Sequence, residues 1–162
     1  MTEPPSPRGV AAFLVGFAAV LMLVEAPLCA FIDEEHEIHD GVNDVRTGRH
    51  LGSLTTSAEL ARVARAHAQD MARQGYLSHV NREGLNPLER TRAAGIAGFR
   101  LLAENIGATN IPGDRVAEVI HGWMNSPIHR ENVLNPAFNT TGVGMAVSPS
   151  GTTIVVQLYA TF

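Results

Sequence analysis

Two β-prone runs near the C-terminus, Gly142 to Val147 (GVGMAV) and Thr152 to Tyr159 (TTIVVQLY), are separated by Ser148-Pro149-Ser150-Gly151. Pro and Gly between runs rich in β-branched residues are a hairpin signal. The pair constrains the fold because most of what precedes it is patterned for helix. Apolar residues recur at helical spacing at Ile38, Val42 and Val45, and again at Val116, Val119, Ile120 and Trp123. Between them Leu60, Ala64, His67 and Met71 form a stripe thickened by Val63 and Ala68. Helices come first and a hairpin last, without βαβ alternation. The expected class is α+β, with helices packed on an antiparallel sheet.

Local signals place the boundaries. A charge-rich lead-in, Ile32 to Asp40, precedes a first helix running to about Arg46 and ending near Gly48. Thr56-x-x-Glu59 reads as a capping box opening a long helix that stops at Gly75. Tyr76 to Val80 is a short extended segment. Asn86-Pro87-x-Glu89 reads as cap, first-turn Pro and reciprocal Glu, with Gly95 ending a short helix. Leu101 to Ile106 leads into a loop ending at Pro112-Gly113, and Asp114 caps the next helix. Ser126-Pro127 stops that helix, because a residue before Pro is pushed out of the helical region.

A chain of 162 residues supports one domain with a proper core. Its net charge of −4 gives no basic field for a nucleic acid. The uncharged run Val10 to Val24 follows a short polar head. As a helix it would cover about 22 Å, against roughly 30 Å of bilayer core. Residues 1–30 are therefore expected to be a cleaved secretory signal peptide or a retained N-terminal membrane anchor, with a buried helix as the remaining reading. Either of the first two makes the protein exported, extracellular or held at the cell envelope. Membrane contact would run only through residues 10–24. Cys29 is the single cysteine, so no intramolecular disulfide forms and stability rests on the core.

His79, Glu104 and His129 each lie at an element edge beside small, turning or polar residues. Two imidazoles and a carboxylate suit Zn²⁺ or another divalent cation with an open position. The same groups also suit a hydrogen-bonded cluster at a cleft floor, and their spacing does not choose. His67 lies on an apolar stripe and is expected to be a hydrogen-bonded core residue. His36 and His39 form HExH, not the metalloprotease HExxH, and read as a solvated face. Trp123 is expected in the core.

The pieces Val42-Asn43-x-x-Arg46, Ala61 to Met71, Ser78-His79, Ala103-Glu104-Asn105-Ile106, Trp123-Met124-Asn125-Ser126-Pro127-x-His129-Arg130-x-Asn132 and Gly142-Val143-Gly144 occur in one order. In this the chain from about Val42 to Phe162 resembles the CAP superfamily: cysteine-rich secretory proteins, antigen 5 and pathogenesis-related 1. It is most similar to that superfamily's bacterial, cysteine-poor, SCP-like branch. The resemblance implies that residues 31–162 form an α-β-α sandwich around a small antiparallel sheet. It also implies a central cavity of two His and two acids that takes a divalent ion in some members. His79, Glu104 and His129 match three of the four positions. Ser126 stands where many eukaryotic members carry the fourth acid, and Glu118 and Glu131 are the substitutes at hand.

Two functions fit that resemblance. One is a non-enzymatic extracellular binding module with a cleft for a lipid or protein ligand. In it Ser78, Asn105, Ser126 and Asn132 would orient the histidines. The other is a hydrolase with His129 as base, Glu104 as its orienter and Ser78 or Ser126 as nucleophile. The chain lacks a Gly-x-Ser-x-Gly turn, and each serine has an evident capping or turn role.

Overall fold

The computed structural model describes residues 25–111 and 113–162, with side chains from Ile32 onward. The run Val10 to Val24 lies outside the described residues. Among the described residues no helix is long and apolar enough to cross a membrane.

Helix α1 (Glu25–Thr47) is followed by a two-residue strand β1 (Thr55–Thr56) and helix α2 (Ala58–Gln74). Helix α3 (Pro87–Ala93), strand β2 (Leu101–Thr109) and helices α4 (Arg115–Asn125) and α5 (Pro127–Leu134) come next. Strands β3 (Thr140–Val147) and β4 (Thr153–Thr161) close the chain as the expected hairpin. The sheet order is β1-β3-β4-β2. Helices α2 and α3 cover one face, where Leu60, Ala64, Ala68 and Met71 meet Val156, Leu158 and Ala160. Helices α1, α4 and α5 cover the other, where Ile38, Val42, Trp123 and Val133 meet Val143, Val155 and Tyr159. This is the α-β-α sandwich.

The main departures from expectation are local. The sheet is mixed, because β1 pairs parallel to β3 at Thr140 and Thr141. Thr56 is spent on that strand, so the cap of α2 is Ser57, whose Oγ accepts from Leu60 N–H at 3.2 Å. Glu59 still contributes as the first-turn acid, through a 3.0 Å bond from Ser57 Oγ. The charge-rich lead-in Ile32–Asp40 is helical, and within it the buried Glu35 pairs with the part-exposed Arg65 of α2. Pro127 stops α4 and then opens α5, where its fixed backbone suits a first helical turn. The Asn86–Glu89 capping box forms as expected.

Helix α2 lies so close to β3 that its backbone touches the strand. A Cβ added at Gly142 would fall inside Leu60 and Ala61, and one at Gly144 would fall inside the Ala64–Arg65 backbone. The two glycines are needed for this approach. On the other face Arg46 is 1% exposed. Its guanidinium donates to the carbonyls of Gly52, Val133, Asn135 and Phe138 at 2.8–3.2 Å, tying α1 to the segment entering β3.

Gly144→Ala is expected to destabilise the domain by about 3 kcal/mol or more, since the obstructing atoms are backbone and cannot rotate away. Gly52→Ala, whose Cβ meets nothing within 4 Å among the described residues, is the control and should stay near wild type. Urea unfolding midpoints of the two variants check this.

Candidate functional site

The site is assembled from α2 outward. His67 of α2 is 2% exposed, and its Nε2 lies 2.8 Å from the Ser78 carbonyl. A carbonyl only accepts, so Nε2 carries the hydrogen and His67 holds the Tyr76–Val80 segment in place. That is the core role expected for it. Ser78 Oγ accepts from Val80 N–H at 3.1 Å, a turn contact. The segment is not a strand, and it delivers His79 to the edge of β2.

There His79 Nδ1 donates to Glu104 Oε1 at 2.8 Å. The His79 side chain is 52% exposed and the Glu104 side chain 1%. Burying a carboxylate requires a compensating charge. Arg90 of α3 supplies it, pairing with Glu104 Oε2. Arg90 also donates to the carbonyls of His79 at 2.6 Å and Leu85 at 3.0 Å. Arg90 went unmarked in the sequence because it sits in an ordinary short helix. The signal was indirect: a buried Glu104 needs a cation, and the Asn86 capping box fixes a helix beside it.

His129 comes from the opposite face, on α5. Asn105, fully buried on β2, donates to the His129 carbonyl at 3.0 Å and to Tyr159 Oη at 3.3 Å. Asn132 Nδ2 donates to Asn105 Oδ1 at 2.9 Å and to the Glu104 carbonyl at 3.4 Å. The two asparagines thus seat the α5 backbone that carries His129 against the Glu104 strand. Tyr159, Gln157 and Thr141 continue this buried chain across the sheet. Burial, and secondarily the nearby His79, hold the His129 imidazole below its ordinary range. Burial and the Arg90 charge do the same to His67.

His79, Glu104 and Arg90 therefore form one contiguous cluster, with His129 within electrostatic reach of His79. Ser126 caps α5 without a side-chain cap bond and lines a groove with Glu118 and His129. Glu131 is exposed on α5. Glu104 binds the His79 ring rather than the His129 ring. His39 bonds Asp40, Asn43 and the Leu54 carbonyl, away from this centre. Among the described residues no three His, Cys, Asp or Glu side chains are arranged to hold a metal ion together. Both Glu104 oxygens are engaged by His79 and Arg90; among the described residues His79 Nε2 and the His129 ring make no hydrogen bond. Carboxylate–imidazole pairs of this kind orient metal-binding histidines.

Such a molecule is a small α-β-α domain with a His79–Glu104–Arg90 cluster at a sheet edge. Residues 39–159 match the CAP family, described as the cysteine-rich secretory protein family, and the chain belongs to it. It is 33% identical over 117 residues to the uncharacterized protein YkwD of Bacillus subtilis, covering 72% of this chain and 44% of that one. It is 32% identical over 111 residues to the uncharacterized membrane protein YlbC of the same organism, covering 68% and 31%. The chain thus spans less than half the length of either curated relative. Among solved structures it is similar to an extracellular protein containing an SCP domain from Bacillus anthracis. That match has a TM-score of 0.71 and 29% identity, and covers 80% of this chain and 41% of the other.

The lowered His67 and His129 set a sign for stability against pH. Each binds a proton less readily folded than unfolded, so their contribution is whole above the unfolded value of about 6.5 and is lost as pH falls below it. The urea midpoint is expected to drop between pH 7.5 and 5.5. His67→Gln, which keeps a donor for Ser78, should lower stability at pH 7.5 yet show a smaller drop.

Proposed function

We propose that this protein is an exported, non-enzymatic binding module whose ligand enters at the His79–His129 mouth. One observation carries the reading. A half-exposed imidazole is locked onto a buried, charge-compensated carboxylate, while Leu77, Val80 and Ile128, which flank the two histidines in sequence, are 56%, 46% and 73% exposed. A polar centre beside exposed apolar side chains suits a lipid-like or protein ligand that presents a polar group to the imidazoles and an apolar part to the flank. The extracellular protein from Bacillus anthracis supports export. A serine relay through His129 would need a carboxylate on that ring, and Glu104 stands on His79 instead.

Zn²⁺ or another divalent ion would be held by the His79 and His129 imidazoles, with Glu104 fixing the ring of His79. Two nitrogen donors make a weak, exchangeable site; when bound, the ion would offer a positive charge and open positions for a ligand. Calorimetric titration of the full chain with Zn²⁺ at pH 7.5 is expected to show saturable binding that His79→Ala and His129→Ala each abolish. It should fade as pH falls through about 6.5, because protonated imidazole cannot ligate. An isotherm unchanged at pH 5 would remove the ion from the reading. For the ligand itself, a fluorescent fatty acid is expected to bind wild type and to bind Leu77→Ser/Ile128→Ser several-fold more weakly. Equal binding by both would argue against the apolar flank.

A further inference from the structure

The sheet has two edges, and the chain treats them differently. Thr55 and Ser57 N–H donate to the carbonyls of Asn139 and Thr141, both at 2.8 Å, so odd-numbered residues at the start of β3 turn their backbone groups outward. On that edge Glu35 Oε1 accepts from Met145 N–H at 2.9 Å, and Arg65 clamps the same carboxylate. Val143 and Met145 are 4% and 2% exposed. Pairing, a charged cap and burial together blunt this edge against further strands.

The pairing pattern carries across the sheet. Even-numbered residues of β3 face β4, and the registers Gly142↔Leu158 and Gln157↔Asn105 leave the odd-numbered residues of β2 bonded to β4. Glu104, Ile106 and Ala108 therefore direct their N–H and C=O groups away from the sheet. The Asn132 bond to the Glu104 carbonyl agrees with this assignment. Among the described residues nothing bonds the outward groups of Ile106 or Ala108. Strand β2 has no Pro, no Lys and an unbroken register, and its single charge, Glu104, is neutralised from behind by Arg90. Beside the open groups a groove of about 310 Å³ runs between β2 and the wall of α4 and α5. Val119 and Trp123 give it an apolar side, and Glu118, Ser126 and His129 a polar one.

We infer that this groove is a strand-addition site that takes an extended peptide segment of a partner protein. The segment pairs with the backbone of Ile106 and Ala108 as a further strand, and its alternate side chains meet the α4–α5 wall. Ladder bonds then supply affinity, and the wall supplies selectivity. Glu118 is exposed and in no ion pair among the described residues, so it favours a Lys or Arg on the segment. A second copy of the chain is a poorer occupant, because its own Ile106, 8% exposed, is recessed behind α4 and α5 in the same way. The inference goes beyond the His79–His129 reading and does not rest on it, since main-chain groups do the binding and no ion is required.

The test pans the purified full-length chain against displayed linear peptides of about twelve residues, twice a typical strand. An enriched peptide is then synthesised with a fluorophore. Ala108→Pro removes one outward N–H and no ladder bond, a placement that edge strands accommodate. Its urea midpoint should stay close to wild type, while peptide affinity falls about tenfold or more. A second measurement uses wild-type protein only: N-methylation at alternate peptide residues should abolish binding, and at the intervening residues should leave it. Glu118→Gln should weaken peptides that carry Lys or Arg. Failure to enrich any peptide, indifference to Ala108→Pro, or an N-methyl scan without alternation overturns the inference. A concentration-dependent dimer that Ala108→Pro dissolves would give the edge to a second copy and overturn it equally. None of these outcomes bears on Zn²⁺ or fatty-acid binding, so the two readings fail separately.

Discussion

The contact between the α2 backbone and strand β3 is the constraint from which the polar centre follows. Gly142 and Gly144 let the helix lie directly on the strand, and Ala64 and Ala68 keep the helix side of that approach small. With α2 seated there, His67 has one position, and its Nε2–H holds the Ser78 carbonyl. Ser78 in turn places His79 over Glu104. A displacement of the helix would thus reach the exposed imidazole through two hydrogen bonds. Among the described residues buried His67 Nδ1 has no partner, so a proton there would be both desolvated and unmatched, which agrees with the lowered affinity of this ring for protons.

Glu104 raises a separate question of charge. Its side chain and that of Arg90 are 1% and 8% exposed, and burying such a pair gains little net stability, because desolvation offsets the attraction. What the pair supplies is position. The guanidinium also donates from Nη1 to the carbonyls of His79 and Leu85, so the loop from His79 to Leu85 closes over α3. Arg46 does comparable work on the other face with four carbonyls and no carboxylate, and burial lowers its proton affinity accordingly. Each of these arginines replaces backbone hydrogen bonds that an irregular segment cannot make for itself.

These details explain what the sequence could and could not reveal. Helix α2, the Asn86 capping box, the Asp114 cap and the final hairpin follow from local rules and were legible. His79, Glu104 and His129 were visible as a set through their neighbours, and the fold does bring them to one sheet edge. The partners were not visible. Arg90, Tyr159 and Gln157 act through contacts made only when distant elements meet, and nothing local distinguishes them. Thr56 shows the same limit at small scale. Its side chain is a good cap, yet pairing with β3 takes it into a strand and passes the cap to Ser57. Pro127 was read as a stop, but proline also begins helices, and only the packing of Val133 against the core selects that role.

The break at Ser126-Pro127 also explains why the β2 edge stays open. Had α4 continued, its next turns would have run on past the sheet in one direction. Instead the chain turns, and α5 returns with Asn132 against the Glu104 carbonyl and the His129 carbonyl on Asn105. That seating covers the edge at Glu104 and no further. Ile106 and Ala108 face the space left at the junction of α4 and α5, where Gly107 admits Val119 and Trp123 close to the strand on one side only. The same turn that brings His129 to the polar centre therefore creates the groove. The open edge is a geometric consequence of assembling the site from both faces of one sheet.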